Sequence, residues 1–438
     1  MANLSRILAE QSRYSDAEKL VVQTMSMRRR VLGKRHRDTL ASTADLAAIY
    51  IGQGKWKEAE QIISPTLAMM KQELGIDDDH TLSTIANLAT AFKAQGRYGE
   101  AEQLQLQMVD IKKLVSGEEH PATISCMADL ALTYRSQGRY ASAEEMGLNV
   151  TRAREKLLGQ EHPSTLMSKA ELSHTISLRG RYDEARQSGE VVLETMKRVL
   201  GETHPDTISA LGNLALVYHQ LQRHKEAESL EEQVLEKNIE NLGPKHPETL
   251  TCMGNLALSY LETGKTKDAM ELSRDLFQKS RFLGDKHPSV LTWMSNVAGG
   301  FAKTEHLDIA EELGRKVLAT SIEVLGENHP DTILAMSNLA MMYRGQAEKD
   351  QSQSRRAAAA DLMIEAIRRG SGQLGPEHPT VLISTYNLAL IRLEEGNQEV
   401  AQDVWASIVG KMEAVLGLNH ECTIRCKRYL AIMNDQYS

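Results

Sequence analysis

Four places in this 438-residue sequence carry residue types at spacings that chemistry uses. Gly370-Ser371-Gly372-Gln373-Leu374-Gly375 fits G-x-G-x-x-G, the pattern that lets a backbone approach a pyrophosphate. It works only between a strand and the start of a helix. Here it closes a helical stretch, and its last glycine belongs to a periodic series, so dinucleotide binding is excluded. Gly264-Lys265-Thr266 copies the end of a phosphate-binding loop, but position 259 is serine where that loop needs glycine. Cys422 and Cys426 are four apart on one helix and would both face a soft metal; without two further ligands the pair reads as small helix residues. With Cys126 and Cys252 they make four cysteines, too few in so long a chain for a disulfide framework.

Histidine is the fourth candidate. His36, His120, His162, His204, His246, His287, His329, His378 and His420 all occupy one recurring slot, mostly as His-Pro. Repetition at one position argues for a turn role, capping the helix that follows. Successive copies stand about 20 Å apart, two packed helices at 8–10 Å each, too far to share a metal. No nucleophile, base and oxyanion site occur together. The chain is therefore not read as an enzyme, and neither a cofactor nor a metal is expected.

What must position these residues is a repeat. Glycines at 33, 75, 117, 159, 201, 243, 284, 326, 375 and 417 mark steps of 42 residues five times, then 41, 42, 49 and 42. A period of this length means stacked supersecondary units. After His204-Pro205, Ile208, Leu211, Leu214, Ala215 and Tyr218 recur at steps of three and four, the face of an amphipathic helix, A. A turn such as Gln95-Gly96-Arg97-Tyr98 follows, then a second helix, B, of about five turns to the next glycine. An alanine in helix B recurs at 17, 59, 101, 143, 185, 227, 269, 310, 359 and 401 and lets the two helices approach closely. The expected fold is all-α, with no strand signal.

The signature Leu-Gly-x-x-His-Pro-x-Thr-Leu, then Asn-Leu-Ala-x-x-Tyr, then Gly-Arg-Tyr-x-Glu-Ala-Glu resembles the tetratricopeptide repeat, and within it the longer kinesin-light-chain type. The resemblance covers essentially the whole chain. It implies a right-handed superhelical solenoid of antiparallel helix pairs, with helix A lining a concave groove, and the functions of such arrays: cargo adaptor, or sensor region of a large nucleotide-binding receptor. The expected organisation is a partial repeat over 1–33, nine repeats over 34–417 and a capping helix over 418–438. Asn3-Leu4 aligns with Asp45-Leu46, so the chain opens inside a helix A, as a piece cut from a longer protein or a shortened cap would. The 49-residue step adds seven polar residues near 345–356, expected as a mobile loop.

Counted from each glycine, position +12 faces away from the apolar stripe. It holds Asn87, Asn213, Asn255, Asn296, Asn338 and Asn387, with Asn3 in the opening fragment and Asp45, Asp129 and Glu171 elsewhere. An amide offers a donor and an acceptor together, so a column of them can pair with an extended backbone without reading its sequence. The resemblance implies that this asparagine faces cargo; the competing reading is a spacer bonded to the neighbouring repeat. Trp293, at +9 beside Gly299-Gly300, reads either as an exposed groove indole next to a pocket or as an indole packed on its neighbour along a loosened helix. The expected function is a scaffold binding an extended protein or peptide segment, with a receptor sensor region and a small-molecule or enzymatic groove near Trp293 as alternatives. Asp206, Glu248 and Asp331 at +5 favour a partner with basic residues. A net charge of −8 argues against nucleic acid, and the absence of a long apolar run or signal-peptide core argues against a membrane and for the cytoplasm. Oligomeric state is left open.

Overall fold

A computed structural model describes residues 2–11, 13–304 and 306–436. It is built of paired antiparallel α-helices, with no strand among the described residues. No helix among them is long and apolar enough to cross a membrane.

One repeat shows how the sequence produces the pair. Helix A of the Gly201 repeat runs Pro205–Gln220 and helix B runs His224–Leu242. Pro205 opens helix A where its missing N–H is no loss. His204 stands before it in extended conformation, and its Nδ1 accepts a hydrogen bond from the Asp206 N–H at 3.2 Å. All nine histidines of the recurring slot cap the same way, at 3.1–3.3 Å. In the Gly75 repeat Asp78 takes over, accepting from the His80 N–H at 2.9 Å. Each cap satisfies a donor that the first turn leaves orphaned, worth about 0.5–2 kcal/mol. The turn role expected of these histidines is what the structure shows. The helix B alanines are likewise buried, from Ala17 to Ala401.

The chain forms two compact units, Met1–Ser136 with Arg152–Leu157, and Gln137–Thr151 with Leu158–Ser438. The first has a core around Ile63, Ile85, Leu88 and Phe92. In the second, Met196, Leu211 and Leu214 form one cluster, Leu250, Met253 and Trp293 another, and Tyr386 and Trp405 a third. Trp405 stacks on Tyr429 of the last helix, Glu421–Gln436, with ring centroids 4.8 Å apart. Cys426 of that helix is buried and its thiol points at the Trp405 carbonyl, 3.7 Å away. Burial pushes the Cys422 and Cys426 thiols up to about 11 and about 12.

The polar insertion corrects the sequence reading. It is helical, not a loop. Helix A of the Gly326 repeat extends over Pro330–Asp350 and helix B over Gln353–Gln373. Only Gln351 and Ser352 lie between them. Gln351 adopts a left-handed φ of 55°, and the Ser352 hydroxyl caps helix B by accepting from the Arg355 N–H. The added turns are held by packing: Ala347 is fully buried, Gln346 donates to Asp308, and Arg355 pairs with Glu311 and Asp350.

Within the second unit, two turns 239 residues apart touch: the Asn419 amide donates to the Gly180 carbonyl at 3.2 Å. Gly417 is pressed so closely that an added Cβ would lie 2.1 Å from the Arg179 carbonyl oxygen. Gly159 shares its φ, +92° against +91°, but has open space around it. The two glycines separate backbone strain from contact. Gly159→Ala should cost about 1–3 kcal/mol for the forced conformation alone. Gly417→Ala should cost more, and only it should speed hydrogen exchange around residues 176–182.

Candidate binding face

Helix A carries the asparagine column, and the six amides are all half-exposed, flanked on the same helices by buried residues. They divide into two kinds. Asn213 donates to Glu171, the +12 residue of the preceding repeat, at 3.4 Å, and Asn338 donates to Ser295 at 3.4 Å. These two tie neighbouring repeats together. The amides of Asn87, Asn255, Asn296 and Asn387 form no side-chain hydrogen bond among the described residues. Asn3 and Asp45 are exposed. Burial pushes the Asp129 carboxyl up, while Lys93 and Arg154 pull it down. Lys93 and Asp129 face each other across an open cleft of about 450 Å³ in the first unit, so the acid at this +12 position already has cationic neighbours.

Trp293 is packed on its neighbour and is not the groove anchor. Its indole is 1% exposed. It lies against helix A of the preceding repeat, where an added Cβ on Gly254 would stand 3.4 Å from indole Cδ1, and its Nε1–H donates to the Thr251 hydroxyl at 3.0 Å. Position +9 therefore faces the neighbouring helix A, not the open side. Gly300 makes no pocket either: an added Cβ there would lie 2.5 Å from Leu261 Cδ1, so the glycine is what lets the helices close up. The opening lies one repeat earlier. Ser209, Gly212 and Cys252 are the equivalents of Thr251, Gly254 and Trp293. With a cysteine where the tryptophan would be, they line an open cleft of about 850 Å³ together with Ile208, Val234 and Glu248.

A second constellation escaped the sequence reading. His219, in the last turn of its helix A, has Nδ1 2.9 Å from Glu262 and Nε2 3.1 Å from Glu231. The Ser259 hydroxyl is 3.0 Å from the same Nε2. Serine, histidine and carboxylate thus align as in a hydrolase triad, but the alignment does no such chemistry. Ser259 is fully buried and gives its proton to Glu231 at 2.5 Å. Burial opposes charge on His219, yet the hydrogen bonds it donates to Glu231 and Glu262 outweigh it and hold the imidazole up at about 9, so at neutral pH it is a cation and no base. Burial likewise opposes charge on Glu262, and His219 and Lys303 together bring it down to about 2.

Family models described as the tetratricopeptide repeat match residues 1–72, 40–113, 81–156 and 164–238, and again 249–289 and 290–331. The chain belongs to the tetratricopeptide repeat family. No curated protein matches it. Among solved structures, the nearly identical TPR-like repeats of a kinesin light chain protein from Podosopora anserina are 29% identical; the match covers 47% of this chain and 97% of that one, with a TM-score of 0.39. The apo form of the quorum sensor NprR from B. thuringiensis is 12% identical over 82% of this chain and 99% of that one, at 0.50. Yeast Tom70 is 13% identical over 100% and 95%, at 0.45.

Within this tetratricopeptide repeat chain the column at +9 held the signal that was missed. It reads Ser42, Thr84, Cys126, Ser168, Ala210, Cys252, Trp293, Ala335, Ser384 and Cys426. A position that is small in nine copies out of ten is a packed one, and the odd tryptophan there is matched by Gly254. For the histidine cluster the signal was weaker. Glu262 and Lys303 share position +19 in successive repeats, so opposite charges meet between neighbouring helices.

Proposed function

We propose that this chain is a protein-interaction scaffold that captures an extended segment of a protein partner along its helix A face. The observation that carries the reading is the set of amides at Asn255, Asn296 and Asn387 in the second unit, half-exposed and without side-chain partners among the described residues, a state that Asn87 shares in the first unit. A half-exposed amide with both its donor and its acceptor free suits a partner's backbone, which offers one of each at every residue. Asn213 and Asn338 act as spacers that keep the column in register. The cleft at Gly212 and Cys252 takes one apolar side chain of the segment, in the place that Trp293 fills from within the chain one repeat later. Asp206, Glu248 and Asp331 stand at the start of the same helices and favour basic residues in the partner.

The test is selection from a displayed library of random linear peptides, followed by affinity measurement on the selected sequences. Asn255→Ala with Asn296→Ala should weaken them about 5- to 150-fold, two hydrogen bonds at about 0.5–1.5 kcal/mol each. Selected peptides that bind the double variant unchanged would remove the asparagine column from the interaction.

A further inference from the structure

We propose that His219, His224 and Glu262 form a binding site for one divalent transition-metal ion of the zinc class. The site lies where the A–B turn of the Gly201 repeat meets the end of helix A in the Gly243 repeat. Three ligand atoms, one from each residue, lie within 4.8 Å of one another. Glu262 Oε2 is 2.9 Å from His219 Nδ1 and 3.0 Å from His224 Nδ1. Ligands on a tetrahedral zinc at about 2.0–2.1 Å stand about 3.3 Å apart, so Glu262 Oε2 needs to draw back from each histidine by only a few tenths of an ångström, while the two imidazoles swing toward each other from within 4.8 Å.

The donor set fixes the class of ion. Two imidazoles and one carboxylate suit zinc, cobalt, nickel or copper; calcium and magnesium demand oxygen. The residues come from well-held places. His219 is in the last turn of Pro205–Gln220, His224 is the first residue of His224–Leu242, and Glu262 is the last of Pro247–Glu262.

The surroundings match what such a site needs. The far nitrogen of His219 faces Glu231 and Ser259, the outer contact that orients a ligating imidazole. Lys303 takes the other oxygen of Glu262 at 2.6 Å and leaves Oε2 toward the histidines. An independent observation points to a ligand: His224 Nδ1 is buried 3.0 Å from Glu262 Oε2 and makes no hydrogen bond there. A polar nitrogen set against a carboxylate oxygen without a shared proton costs free energy that a cation between them would recover. Binding displaces the proton that His219 Nδ1 shares with Glu262, which is released to solvent, and three protein ligands leave a fourth position to water. The ion would act as a staple between consecutive repeats, and no catalytic part is assigned to it.

The experiment uses the full chain stripped with a chelator and then dialysed. Titration with Zn²⁺ alone, read by calorimetry, should give one ion per chain. Co²⁺ should give the intense visible absorption of a four- or five-coordinate site. His224→Ala should weaken Zn²⁺ by about tenfold or more. It leaves the His219, Glu231 and Ser259 contacts in place, so far-UV circular dichroism should not change. His80→Ala, at an exposed histidine in the first unit, should leave the affinity as it was. Absence of binding overturns the proposal, as does binding that His224→Ala does not weaken. Should the variant fold poorly, imidazole NMR of the wild type decides: Zn²⁺ that leaves the His219 and His224 resonances in place is bound elsewhere, and the site falls.

Discussion

Trp293→Ala is expected to lower the stability of the second unit by about 3–5 kcal/mol, the cost of removing a fully buried large side chain from a core that closes only partly around the gap. The indole packs against Gly254 and joins Leu250, Met253, Val290 and Met294 in one cluster. Glycine at 254 is itself the imprint of that packing, so the vacated volume has no neighbouring side chain ready to fill it. The lost bond to Thr251 adds little, because the Thr251 hydroxyl still donates to the Pro247 carbonyl at 3.0 Å. Urea unfolding followed by far-UV circular dichroism measures the effect. An indole standing in an open groove would give a different pair of results: a stability change within about 0.5 kcal/mol and a loss of peptide affinity. On the packing described here, affinity for peptides that engage Asn255 and Asn296 changes only as far as the two helices A shift.

The parts of this fold legible in the sequence are those that depend on one chain segment and its helical period. The glycine spacing fixes where each helix B ends, His-Pro fixes where each helix A begins, and the alanine in helix B needs only the contact within its own pair. The parts that were not legible depend on neighbours. Position +9 is opposite the apolar stripe on an isolated helix A, yet the preceding helix A covers it. A single helical wheel therefore places Trp293 in the open, while the column of small residues at +9 places it in a joint. The 345–356 insertion is polar, which signals exposure and says nothing about regularity; seven residues divide between two helices because Gln351 and Ser352 supply a tight reversal. Of the candidate site, the asparagine column was legible as a column, but not which members are tied to neighbours. Asn213 donates to the acid at 171, and Asn338 reaches Ser295 at a different register. The His219 cluster draws on three successive repeats and on residues with no shared motif, so no spacing announces it.

That cluster carries the second large expectation. In the metal-free protein the stability of the second unit should be greatest below about pH 6.5 on its basic limb and fall by about 3 kcal/mol as pH rises through about 9. The folded chain holds the His219 proton between Glu231 and Glu262, so its pKa of about 9 lies above the ordinary 6.5 of the unfolded chain. Below 6.5 both states carry the proton and the full interaction counts toward folding. Between 6.5 and 9 only the folded state keeps it, and each pH unit removes about 1.4 kcal/mol. Above 9 the folded imidazole is neutral and the contribution is gone. Its side chain is 17% exposed, so solvent screening takes only part of this. Glu262, held down to about 2, reports the same pairing from the acid side and is not a second contribution; its share is present above about 4.5 and lost as pH falls toward 2. Urea midpoints at several pH values, with chelator present, for wild type and His219→Gln isolate the effect, because other titrating groups are common to both. The gap between the two proteins should be wide at pH 6 and nearly closed beyond pH 9. A gap that stays constant would mean that His219 does not hold its proton between the two carboxylates. Lys303→Met sharpens the reading: it removes the ammonium that competes with His219 for Glu262, which should move the closing of the gap to higher pH.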